Sequence, residues 1–232
     1  MFAILILAVV LCVGVCRFAA SRYAAALASG SRERVPTAHT GAEIARMFFA
    51  FEGVHDVEVL EHTSVASDYF DPSRRRLFLR PEIAQGTTMA AWAVALHEAA
   101  HATQEGDALG ELKWRRTVIH LNRYGPIFAA GGAIAMMLLR LPPRFALLAL
   151  VAVCAILLLL NLGTLAIEFN ANARLRRFLE NHLERWPSAQ ERLEGYLSAV
   201  ATREVGDLMR SPRYFFFSAL PGSGKIRPVE KE

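Results

Sequence analysis

The sequence predicts a mainly α-helical membrane protein carrying a small α+β domain, and three observations carry that prediction. Apolar residues make up 53% of the 232 residues, and they gather in stretches almost without charge at 1–15, 127–139 and 145–167. Between the first two stretches lie short segments, 54–59 and 76–79, whose apolar residues fit half-buried strands. Between those strands and the second apolar stretch, residues 87–103 are rich in alanine and free of glycine and proline, as a helix would be.

A bilayer core takes about 20 apolar helical residues to cross. Residues 145–167 meet that length, with Asn161 as the one strongly polar residue inside. Residues 127–141 are shorter and need their flanks, a small tilt or local thinning of the bilayer. The first stretch extends to an anchor over 1–20 if Arg17 and Arg22 snorkel to the headgroups. Three spans are therefore expected. A cleaved signal peptide competes for the first: residues 24–28 supply small side chains, but no basic region precedes the apolar stretch.

Residues 21–38 are polar, basic and interrupted by Pro36, which reads as a juxtamembrane linker. A small domain is expected over 39–124. It opens with Thr40-Gly-Ala-Glu43, a capping box ahead of Ile44, Met47 and Phe48 at helical spacing. A strand over 54–59, a turn at Tyr69-Phe-Asp-Pro72 and a strand over Arg76–Leu79 follow. After the helix at 87–103, a further helical pattern over 111–123 should stop at Gly125-Pro126. A transmembrane hairpin over 125–167, turning at Leu141-Pro-Pro143, leads to a polar helical segment over 168–219 with a break at Trp186-Pro187. Residues 220–232 read as a disordered tail. Its Pro221-Gly-Ser-Gly-Lys225 imitates a phosphate-binding loop, yet Ala219 stands where the first glycine belongs and Ile226 where magnesium needs a hydroxyl.

The net charge of +4 comes from arginines beside the apolar runs, which suits a lipid surface. No basic aromatic module for nucleic acid is present in the sequence. Cys12, Cys16 and Cys154 all fall within apolar segments, so they offer no extramembrane disulfide framework.

The chemistry concentrates in His97-Glu-Ala-Ala-His101. Residues four apart share a helix face, so both imidazoles can reach one metal ion. Glu98, one position along, can take a proton from the water that such an ion activates and return it to a leaving amine. Chance produces this pentapeptide on occasion. Here, however, Ala93, Ala95, Ala99, Ala100 and Ala102 surround it, and burying three polar side chains among alanines costs several kcal/mol without compensation. Two histidines need a third protein ligand. Glu168, at the end of the third span, is the best candidate, because an acid there is expensive without a partner. The plainer reading makes Glu168 a membrane-boundary marker, and His55, His62 and His120 compete as ordinary loop or surface histidines.

Across most of its length the chain resembles the YugP-like family of membrane zinc metallopeptidases. The resemblance rests on Thr40-Gly-Ala-Glu-Ile-Ala-Arg46, Gly53-Val-His-Asp-Val57, Asp68-Tyr-Phe-Asp-Pro72, Val94-Ala-Leu-His-Glu-Ala-Ala-His-Ala-Thr-Gln104 and Glu168-Phe-Asn-Ala-Asn172. It implies a zincin-like domain with one Zn2+ on His97, His101 and Glu168, and catalysis through Glu98. Asn172 takes the place of a serine usual in that family and of an aspartate in HtpX-type peptidases, which implies a residue that orients a ligand imidazole. Ala100 replaces the usual glycine of the motif.

If Glu168 completes the site, one initial span and a returning hairpin put both polar regions on one side of the membrane. Arg17, Arg22, Arg32, Arg34, Arg174, Arg176 and Arg177 flank that side, against Arg140 and Arg144 at the hairpin tip, so the site is expected to face the cytoplasm of a bacterial inner membrane. The expected substrate is a membrane-proximal polypeptide, extended along Leu77, Phe78 and Leu79 as an added strand. A non-catalytic zinc-binding membrane adaptor is the alternative. The oligomeric state is not fixed by the sequence.

Overall fold

The computed structural model describes residues 2–63, 67–104, 107–207 and 226–229. Helices dominate: α1 (Phe2–Gly30), α2 (Gly41–Phe51), α3 (Pro81–Ala84), α4 (Met89–Ala100), α5 (Asp107–Leu138), α6 (Pro143–Arg174), α7 (Arg176–His182), α8 (Pro187–Ala201) and α9 (Arg203–Asp207). Four short strands, β1 (Glu58–His62), β2 (Tyr69–Asp71), β3 (Arg76–Leu79) and β4 (Ile226–Pro228), make a mixed sheet in the order β2-β3-β1-β4. β1 runs parallel to β3, while β2 and β4 are antiparallel to their neighbours.

Helix α4 is the hub. Every one of its residues is buried, and α1, α2, α3, α6 and α8 all pack against it. Its alanines let these neighbours approach closely, while Trp92 and Leu96 fill the core with Ile44, Phe48, Leu77, Leu79, Leu175, Leu179 and Leu193. Thr88 caps its N-terminus by accepting a hydrogen bond from the Ala91 N–H (3.2 Å). At the other end the helix tightens into a 3-10 turn over His101–Thr103, three residues short of the uninterrupted helix that the alanine content suggests.

The local signals in the sequence hold where capping or proline chemistry is strong. Thr40 and Glu43 form both bonds of a capping box, at 3.2 and 2.6 Å. The strand at Arg76–Leu79 is β3, and the chain breaks before α8 at Trp186.

Several expectations need correction. The residues beyond 20 are not a loose linker at first. Helix α1 runs on to Gly30, because its alanine-rich end packs Tyr23 and Leu27 against the core. Tyr69–Asp71 is a strand rather than a turn, and the first strand lies at Glu58–His62 rather than 54–59. The helix expected to stop at Gly125-Pro126 continues through both residues as α5. A proline there costs about 3 kcal/mol. The cost is met by packing along α6, so close at Gly125 that a Cβ would lie 2.9 Å from Leu157 Cδ1. Residues 226–228 of the supposed tail form β4 against β1. The phosphate-loop imitation at 221–225 lies outside the described residues.

The three expected spans become two. Among the described residues, two helical stretches, Ala3–Gly30 and Pro143–His182, are long and apolar enough to cross a membrane by length and composition. Ile127–Leu138 is a shorter apolar helix, about 18 Å at 1.5 Å per residue. The helix that contains it, α5, runs along α6: Arg115 meets Glu168 and Gly125 meets Leu157, an antiparallel pairing that turns over at Arg140, whose φ is 57°.

A candidate metal centre

His97, from the last turn of α4, and His101, from the first residue of the 3-10 turn, meet Glu168 near the end of α6. Their ligand atoms lie within 4.8 Å of one another. His97 Nε2 is 3.0 Å and His101 Nε2 is 3.4 Å from the same carboxylate oxygen, Glu168 Oε2. All three side chains, and Glu98 between the histidines, are 1% exposed or less. α6 carries Glu168 on the same uninterrupted helix as the apolar stretch, not on a separate segment beginning at 168.

The far side of each imidazole is held by an amide. The Asn172 Nδ2 donates to the Leu197 carbonyl (2.9 Å), so its Oδ1 faces His97 Nδ1 at 2.8 Å. The Gln104 Nε2 donates to the Ile167 carbonyl (3.0 Å) and to Asn170 Oδ1 (3.2 Å), so its Oε1 faces His101 Nδ1 at 2.8 Å. Both Nδ1 atoms therefore carry the proton and donate it. In the neutral form, each ring then presents a bare Nε2 lone pair toward a carboxylate oxygen. Burial, then Arg115, hold His101 below its ordinary pKa, which favours that neutral form. Among the described residues its buried Nε2 has no hydrogen-bond partner. Three acceptors converging with no donor between them fit a bound cation, and two imidazole nitrogens with one carboxylate oxygen suit zinc.

Charge around this cluster is compensated by residues with no motif. Arg115 Nε on α5 donates to Glu168 Oε1, the oxygen turned away from the histidines. Arg203 Nη2 on α9 donates to Glu98 Oε1 (2.9 Å) and to Glu204 Oε1 (2.9 Å). Burial pushes the Glu98 carboxyl up, and Arg203 and Arg115 more than reverse it, leaving it below the usual carboxylate range. Among the described residues Glu98 Oε2 has no hydrogen-bond partner. Gln104 had a motif position but no assigned role, while Arg115, Arg203 and Glu204 had no signal at all, because only the packing of α5 and α9 brings them here.

The remaining candidates lie elsewhere. His55 is exposed, and His62 sits on β1 with its ring against Phe78; the side chain of His120 is outside the described set. Leu77, Phe78 and Leu79 are buried in β3, which is paired with β1 on one side and β2 on the other. The expected docking of a substrate strand there is therefore corrected: over Arg76–Phe78 both hydrogen-bonding edges are already used.

Comparison with known proteins gives a consistent result. The chain is 29% identical over 153 residues to "Putative membrane protease YugP" of Bacillus subtilis (strain 168), a match covering 64% of this chain and 65% of that protein. The match thus spans a little under two thirds of the relative. No solved structure matches. A family model described as "Putative neutral zinc metallopeptidase" matches residues 2–211, and the chain belongs to that family.

Proposed function

We propose that this protein is a membrane-bound zinc endopeptidase in which His97, His101 and Glu168 hold one Zn2+ and Glu98 is the general base. The observation that carries the reading is the convergence of two imidazole nitrogens and one carboxylate oxygen in a fully buried centre, with each Nδ1 held by an amide oxygen. Zinc bound there supplies Lewis-acid chemistry, acidifying a water and polarising a peptide carbonyl. Glu98 accepts the proton of the attacking water at Oε2, its unpartnered oxygen, and delivers it to the departing amine. Arg203 holds the other oxygen and keeps the carboxyl ionised until that transfer. Asn172 and Gln104 hold the imidazoles in the tautomer that leaves Nε2 for metal.

Membrane attachment is supported by the relative's description and by two long apolar helices. Their side chains turn outward in quantity, as Ile4, Leu7, Leu11 and Phe18 on α1 and Leu148, Ile156 and Leu159 on α6 do. With α5 and α6 taken as a hairpin that returns the chain to the side it left, the arginine distribution favours a centre on the cytoplasmic side, close to the headgroups, where membrane-proximal polypeptide segments would reach it.

The test is metal content and casein cleavage by purified protein, compared with Glu98→Gln. That variant should keep about one zinc while hydrolysis falls about 10²–10⁴-fold. Equal turnover by both proteins would reject Glu98 as base. Zinc retention with no cleavage by either, across casein and membrane-derived peptides, would favour a zinc-binding adaptor.

A further inference from the structure

We propose that Gln104 is a positioning residue of the metal centre, fixing the His101 tautomer and tying that ligand to the backbone that carries Glu168. The inference rests on the zinc reading of the cluster and goes beyond it, because the motif's histidines and glutamates say nothing of residue 104.

Its local origin is the change of helix type. A 3-10 turn has three residues per turn, so residues i and i+3 eclipse. With the turn set over His101–Thr103, the side chain of Gln104 is brought over the ring of His101, which a continued α-helix would not do as closely. The backbone leaves the helix there: Gln104 has φ −79° and ψ 103°. The side chain is 2% exposed and all three of its bonds are internal. Its oxygen accepts from His101 Nδ1–H, and its nitrogen donates to the carbonyl of Ile167, the residue before Glu168, and to Asn170 Oδ1.

One amide therefore spans two of the three ligands. The Ile167 carbonyl can only accept, so the amide cannot turn over, and its oxygen cannot help but face Nδ1. That sets the proton on Nδ1 and leaves Nε2 bare. The same bond to Ile167 sets the distance between the end of α4 and the last turns of α6. Asn172 does the same for His97 from α6 itself, four residues beyond Glu168, with its amide held in turn by the Leu197 carbonyl on α8. Gln104 makes both links for His101, from the opposite side of the centre.

The experiment uses the full chain in detergent, stripped of metal and titrated with Zn2+ against a chromophoric chelator. Gln104→Met, close in size and without the amide, should bind zinc about 10–100-fold more weakly, still with one ion per chain. In the zinc-free proteins, two-bond ¹H–¹⁵N correlations should show His101 as the Nδ1–H tautomer in the native chain and as a mixture in Gln104→Met. Native zinc affinity in Gln104→Met overturns the proposal. So does an unchanged His101 signal, which would reduce Gln104 to a packing residue. Failure of the underlying reading looks different: the native chain itself would bind no zinc, or His101→Ala would bind it equally well.

Discussion

Glu168 has two carboxylate oxygens with different neighbours: Oε2 faces the histidines, and Oε1 takes the Arg115 guanidinium, itself 5% exposed. Among the described residues around the same point, Glu98, Glu168 and Glu204 meet Arg115 and Arg203, three carboxylates against two guanidiniums. Removing one partner of a buried pair typically costs about 3–5 kcal/mol, because the other charge is stranded. Arg115→Met should therefore destabilise the zinc-free protein strongly. A bound divalent cation would replace the missing positive charge, so most of the loss should be recovered on loading with Zn2+. Thermal unfolding with and without zinc measures this. If the variant loses as much stability with zinc as without, Arg115 packs the centre rather than balancing its charge.

At the scale of single elements, the clearest prediction concerns the capping box that starts α2. Thr40→Ala removes the acceptor for the Glu43 N–H and should cost about 1 kcal/mol. The reciprocal bond from the Thr40 N–H holds the Glu43 carboxyl below its ordinary pKa. A carboxyl depressed in the folded state contributes stability above its unfolded pKa and loses it as pH falls through the folded value. The contribution of Glu43 should thus fade on the acid side, and unfolding measured at falling pH should show a shallower decline in Glu43→Gln. Such elements were legible in the sequence because their causes lie within four residues: Thr40 with Glu43, and Trp186 before Pro187. The elements that depart from those local signals answer to distant partners. α5 ignores Gly125-Pro126 because α6 packs against that point, and β4 exists because β1 offers an edge. The candidate site divides the same way. His97, Glu98 and His101 follow from a four-residue spacing that survives the change to a 3-10 turn at His101, and Glu168 from the expense of an acid at the end of an apolar run. Arg115 and Arg203 have no fixed spacing from the motif, since α5 and α9 bring them in only when the chain is packed.

Over the whole molecule, the apolar helix α1 and the buried centre are mechanically joined. α9 carries Arg203 at its first position and Gly206 near its end, and Gly206 lies against Ala20 of α1. A Cβ at Gly206 would sit 2.7 Å from the Ala20 nitrogen and 2.8 Å from its Cα, backbone atoms that cannot swing aside. Val205 adds to the contact by joining Cys16, Ala19 and Leu158, a small cluster shared by α1, α6 and α9. Arg203 is thereby placed on Glu98 by a helix wedged against α1. Gly206→Ala should push α9 off α1 and carry Arg203 with it, leaving the histidines and Glu168 in place. A displacement near 1 Å in such a constellation costs about 100-fold in rate, so peptide hydrolysis should fall by about that factor while zinc content stays at the native level. Gly195→Ala, on α8 where a Cβ meets nothing within 4 Å, serves as the control and should cleave like the native protein. Native turnover in Gly206→Ala would show that Arg203 does not need its seat on α1. Faster turnover would instead make α9 a cover over Glu98, whose removal admits substrate to a centre that is otherwise closed.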